Sequence, residues 1–241
     1  MPIDSRHRIE LQAIAVVHSP FEEKFGVPRQ SGLAPSAVGE LRLLPPCDDA
    51  AMLQGLAGFS HLWLIFQFDR CIAQGWRAKV RPPRLGGNRE VGVWASRSPF
   101  RPNFLGLSVV RLVEVVERPR PLLRVAGIDL LDGTPVLDIK PYLPYSDALE
   151  DAAGGYAAAA PEAGLAVRFG AQAAEELAHL QDSEHMRALL LEVLALDPRP
   201  AYRQGAEPGR VYGMRLAGTN VRWQVTDSGV EVLDITPLGA D

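Results

Sequence analysis

The chain has 241 residues, 47% of them apolar, and a formal net charge of −4 at pH 7. That is enough for one large or two small globular domains with a real core. No apolar run approaches the roughly 18 residues of a membrane span, the N-terminal MPIDSRHRIE lacks the apolar segment that marks secretion, and Cys47 and Cys71 have no His or Cys at ligand spacing, which argues against a zinc site or a disulfide framework.

In chain order, residues 9–18 and 38–44 are rich in β-formers and predict two strands. A short helix follows, capped by Asp48 or Asp49, with Met52, Leu53 and Leu56 on one face. Residues 60–68, SHLWLIFQF, are too short for most helices and predict a buried strand with Trp63 in the core. Residues 91–96, 107–116, 122–128 and 135–139 complete a set of short strands between Gly and Pro turns. Crossover helices are missing, so the expected class is mainly β, a barrel or sandwich.

The character changes after about Pro144. Residues 147–160 form an Ala- and Gly-rich linker, and 171–181 and 183–196 predict helices. The second is capped by Ser183 and buries Met186, Leu189, Leu190, Val193 and Leu194. Strands at 210–217, 221–226 and 230–236 then form a meander. The expected division is a barrel domain over residues 1–155 and a smaller α+β domain over 156–241.

Residues 77–103 hold seven basic side chains (Arg77, Lys79, Arg81, Arg84, Arg89, Arg97 and Arg101) against Glu90 alone. Such a segment on an acidic chain either is a solvated loop or faces a polyanion. The turn at Gly86 and Gly87 and the Arg101-Pro102-Asn103 segment favour a shaped site. Residues 24–30, KFGVPRQ, couple cations and an amide to a proline-fixed backbone. In residues 129–145, Asp138, Lys140 and Tyr142 alternate on one strand face, where they either position a proton or satisfy one another. Residues 197–203, DPRPAYR, either project Arg199, Tyr202 and Arg203 toward an RNA base and its phosphate or stop a helix with an arginine salt bridge. No GxSxG, HExxH, Walker or GxGxxG motif occurs.

Together, KFGVPRQ, GFSHLWLIFQF, VRPPRLGGN, ASRSPFRPN, DLLDGTPVLDIKPYLPYSD and DPRPAY resemble the TrmO family, also called YaeB or TsaA-like proteins, from about Leu11 to the C-terminus. The resemblance implies a TsaA-like N-terminal β-barrel with a smaller C-terminal α+β domain. It implies an S-adenosyl-L-methionine-dependent tRNA methyltransferase acting on N6 of threonylcarbamoyl-adenosine in the anticodon arm, as a homodimer; the composition adds the expectation of a cytoplasmic protein without membrane or metal. By motif position, the cofactor contacts fall on Pro28, Arg29 and Gln30, on Asp69 and Arg70, on Arg97, on Leu107, and on Ala126, Gly127, Ile128 and Asp129. Relatives often carry His and Gln at the positions of Asp69 and Arg70, threonine at Ser96, phenylalanine at Trp94 and proline at Phe104.

Methyl transfer needs in-line positioning more than acid-base machinery, but the acceptor nitrogen beside a carbonyl is a poor nucleophile. Asp138, Lys140 and Tyr142 are the candidates for assisting it. Arg84 and Arg101 would neutralise phosphates, and Arg199, Tyr202 and Arg203 would engage the threonyl carboxylate or the anticodon loop. Two rival readings are a non-catalytic sensor of S-adenosylmethionine or RNA and a methyltransferase of a small metabolite.

Overall fold

The computed structural model describes residues 7–161, 164–199 and 209–239. Its first half contains β1 (Ala15–His18), β2 (Val38–Leu43), β3 (His61–Gln67), β4 (Lys79–Val80), β5 (Val91–Gly92), β6 (Leu105–Val116), β7 (Leu122–Ala126) and β8 (Pro135–Pro141), followed by a single helical turn, α1 (Pro144–Asp147). Six of these strands close into a barrel in the order β1-β2-β7-β6-β3-β8, while β4 and β5 pair as a separate ribbon. The mainly β expectation therefore holds, and the shell is a barrel.

Alternation explains the closure. Along β3, Leu62, Leu64 and Phe66 turn inward and are almost fully buried, while His61, Trp63, Ile65 and Gln67 face outward. Leu41 of β2, Leu123 and Val125 of β7 and Val136 of β8 join them in the buried interior. The apolar character of SHLWLIFQF thus comes from two faces at once. Trp63 lies on the outer one instead of in the core, with its indole Nε1 donating to Asp147 Oδ2 at 2.8 Å.

The second half contains β9 (Val167–Phe169), α2 (Ala171–Ala178), α3 (Ser183–Ala195), β10 (Val211–Leu216), β11 (Thr219–Thr226) and β12 (Gly229–Pro237). The sheet order is β10-β11-β12-β9, with β9 running parallel to β12. A strand of three residues leaves no periodicity to read, so the expected three-strand meander gains an edge. All five residues expected on the buried stripe of α3 are buried, in one core cluster with Trp223, Met214 and Leu216 of the sheet.

Several local expectations are corrected. The first strand is only four residues long, since Ile9 and Leu11 find no cover and remain exposed. The early helix is two 3-10 turns, Ala50–Leu53 and Leu56–Gly58; Asp49 caps the first through Ala51 N at 2.9 Å, and Met52 faces solvent. Asp182, not Ser183, precedes α3, and its side chain makes no capping bond. Residues 91–96 form two strand residues and then a 3-10 turn, Val93–Ala95, because the Ser96 hydroxyl and amide both bond back to the Val93 carbonyl.

The halves share one contiguous set of buried side chains. Phe21 bridges to Leu216, the Ala217 amide donates to Pro20 O at 2.8 Å, and Glu192 of α3 accepts from the Ser36 amide and hydroxyl at 2.7 and 2.8 Å. The segment after β1, which carries KFGVPRQ, is therefore clamped between barrel and C-terminal sheet.

Candidate functional site

Three segments converge at one end of the barrel. The loop from Pro28 to Gln30 meets the turn that ends β7, because the Gly32 amide donates to Gly127 O at 2.8 Å. Gly127 has φ +72°, and a Cβ there would stand 3.1 Å from Gly32 Cα, so the approach requires glycine on conformational and steric grounds. From the basic segment, Arg97 Nη1 donates to Gln30 Oε1. Arg97 also lies near enough to Asp129 to favour its ionised form.

Asp129 is the electrostatic centre of this cluster. Burial is the largest influence on it and pushes its pKa up to about 6, against the opposing pull of the Ser108 hydroxyl, the backbone at Asp129 and Ser31, and the Arg97 charge. Its Oδ1 is nevertheless sealed from solvent with no hydrogen-bond partner. A buried acceptor left open is costly unless something donates to it.

Beside the cluster lies a cavity of about 180 Å³, lined by Asp129, Asp69, Arg70, Lys24, Cys71 and Phe66 among others. Asp69 and Arg70 begin the 3-10 turn Asp69–Gln74 after β3. Arg70 spends its guanidinium on structure, donating to Asp132 O at 2.6 Å and Glu22 O at 3.2 Å. Cys71 is buried, as expected of a small hydrophobe, with Lys24 Nζ 3.8 Å from its sulfur; Cys47 is only partly covered.

The expected cofactor residues thus fall into two groups. Gln30, Arg97, Gly127 and Asp129 are brought together, with Asp69 and Arg70 across the cavity; Pro28, Ala126 and Ile128 are buried supports behind them, and Arg29 faces solvent. Leu107 stands apart. It is 52% exposed on the outer face of β6, opposite Ile65, while its neighbour Ser108 turns inward toward Asp129.

Asp138, Lys140 and Tyr142 share a face, but it is the outside of the barrel. Asp138 and Lys140 stand opposite Ile65 and Trp63, Asp138 accepts from the Ile139 amide at 3.0 Å, and the Tyr142 ring lies 5.8 Å from Trp63. Among the described residues no hydrogen bond joins the three, so the self-satisfied alternative does not form. Arg84 reaches Ala159 O and Arg101 donates to Ser96 O at 3.1 Å, each bracing the loops around the basic segment.

Arg199 requires a correction. Its guanidinium is buried, 6% exposed, and grips Asp197 at 2.8 Å through both Nε and Nη2. The helix-stop alternative describes it, and it does not project toward a ligand. Tyr202 and Arg203 lie outside the described residues.

Two features escaped sequence reasoning. Phe25 stacks on Tyr212 and Trp223, with centroids 6.3 and 6.1 Å away, fastening KFGVPRQ to the C-terminal sheet. Trp94 is 82% exposed within the basic segment. The first was signalled only by an apolar residue inside a polar motif; the second was masked by a strand-like run.

Comparison with known proteins matches residues 16–148 to a profile described as the tRNA-methyltransferase O N-terminal domain and residues 162–238 to the TrmO C-terminal domain. A tRNA (adenine(37)-N6)-methyltransferase of Escherichia coli strain K12 is 50% identical over 95% of this chain and 98% of its own. A Pyrococcus abyssi protein described as a probable S-adenosyl-L-methionine-binding protein is 40% identical over 59% of this chain and 73% of its own. The crystal structure of TrmO from Pseudomonas aeruginosa superposes with a TM-score of 0.80 at 39% identity, covering 96% of this chain and all of the other.

Proposed function

The chain belongs to the TrmO family and is an S-adenosylmethionine-dependent methyltransferase acting on adenine N6 in tRNA; on that premise we propose that its substrate is threonylcarbamoyl-adenosine beside the anticodon, methylated by a cytoplasmic homodimer. The observation that carries the site assignment is the convergence of Gln30, Arg97 and Asp129, with Asp129 Oδ1 buried and lacking a donor. S-adenosylmethionine fits such a cluster, since it offers hydroxyl and ammonium donors and a sulfonium charge to a carboxylate, and acceptors to an amide and a guanidinium. When bound, it supplies the electrophilic methyl group.

In this reading, Gln30 and Arg97 orient the donor, and Asp129 balances its charge. The Gly127 turn lets the backbone close against the loop. Positioning of this kind supplies most of the acceleration open to a methyl transfer. Leu107 faces away from the Asp129 cavity, which supports a homodimer in which the outer face of one barrel, apolar at Ile65 and Leu107, closes the pocket of its partner. Asp138, Lys140 and Tyr142 lie on that same face, where they would meet the acceptor base at the subunit boundary. Residues 156–241 form the domain that assists tRNA recognition, with Tyr202 and Arg203 as contacts.

Incubation with labelled S-adenosylmethionine and total tRNA, followed by nucleoside analysis, tests the substrate. Label is expected only on threonylcarbamoyl-adenosine, and none on tRNA lacking that group. Label on unmodified adenosine would overturn the substrate assignment.

A further inference from the structure

We infer that Trp94 is a stacking platform for an unpaired RNA base, set between the cofactor cluster and a cationic ribbon; this rests on the tRNA reading above. A lone exposed aromatic is common on protein surfaces. Three observations set this one apart.

The first is stiffness. The 3-10 turn Val93–Ala95 is anchored by Val93, 5% exposed, whose amide donates to Ala78 O at 3.0 Å. The Ser96 hydroxyl closes on Val93 O at 2.8 Å, and the hydroxyl of Tyr156, in the Ala- and Gly-rich segment that follows the barrel, donates to Ala95 O at 3.0 Å. The indole thus stands 82% exposed on a backbone braced from both sides, and little backbone order remains to be lost when a ring lies against it.

The second is charge. Lys79 sits opposite Gly92, two residues before Trp94, and Arg89 lies just ahead of β5; neither has an ion-pair partner among the described residues, whereas Arg81 pairs with Glu90 at 3.2 Å. Exposed cations flanking an exposed ring suit a nucleotide, with phosphate on the ammonium or guanidinium and base on the indole. The third is position. Trp94 is three residues from Arg97, which bonds Gln30 in the cofactor cluster. A base stacked here would lie next to the nucleotide presented for methylation.

The test is tRNA binding by wild type, Trp94→Ala and Trp94→Phe across a salt series, with S-adenosylmethionine affinity by calorimetry and oligomeric state by sedimentation. Trp94→Ala is expected to weaken tRNA binding about five- to a hundredfold. Its salt slope and donor affinity should match wild type, and Trp94→Phe should stay near it. Lys79→Ala and Arg89→Ala should instead lower the salt slope, by about one each. Undiminished tRNA binding by Trp94→Ala overturns the platform alone. A Trp94→Ala chain that sediments as a smaller species also overturns it, because the ring would then belong to a contact between copies. A wild-type chain that binds no tRNA overturns the reading beneath it.

Discussion

Asp129 concentrates the electrostatic cost of the site. Well below its ordinary pKa the carboxyl is protonated in both folded and unfolded chains and has no effect on stability. As pH rises, the unfolded chain releases its proton first, while burial holds the folded one up to about 6, so stability is lost as pH climbs through that window and stays lost above it. Two units of displacement correspond to about 3 kcal/mol at most. Asp129→Asn should therefore be more stable than wild type near neutrality by roughly 1–3 kcal/mol, and the difference should shrink as pH falls and vanish below about pH 3. Urea unfolding at a series of pH values checks this; a difference independent of pH would show that the carboxylate is not strained by burial. None of this was legible locally, because one aspartate in a turn looks like any other until the barrel closes over it. Arg199 teaches the same lesson. Its composition permitted both a projecting cation and a salt bridge, and only the position of Asp197 decides.

Among the elements, β3 was readable as a strand because its apolar run is too short for most helices, although the run hid the alternation that puts Trp63 outside; the turn between β4 and β5 was readable from Gly86 and Gly87, where both φ values are near +70°. The segment at 91–96 was not, since its β-branched residues suit a strand while the Ser96 hydroxyl folds it into a turn. Phe104 is another such case: its φ of +54° is a backbone conformation closed to proline, which the Arg101-Pro102-Asn103 run does not announce. The loop at 24–30 is the element on which function depends most. Phe25 ties it to Tyr212 and Trp223, whose own rings lie 4.8 Å apart. Phe25→Ala is expected to cost about 1–3 kcal/mol in stability and to weaken S-adenosylmethionine several-fold with the barrel intact. Thermal unfolding and calorimetry on the same variant separate the two effects. A lowered Tm with unchanged donor affinity would make Phe25 purely structural.

At the scale of the whole molecule, the two halves act as one object. Glu22 and Glu23 from the barrel side accept from the Gly218 and Arg215 amides, and Glu192 returns the contact to Ser36. The C-terminal sheet thus holds the loop that presents Gln30, while the basic segment brings Arg97 from the other side. That meeting is the central claim. Calorimetric titration of S-adenosylmethionine into wild type and Arg97→Ala tests it most directly: losing a charged hydrogen-bonding group should weaken binding roughly ten- to a hundredfold with thermal stability preserved, and equal affinity in the two proteins would contradict it.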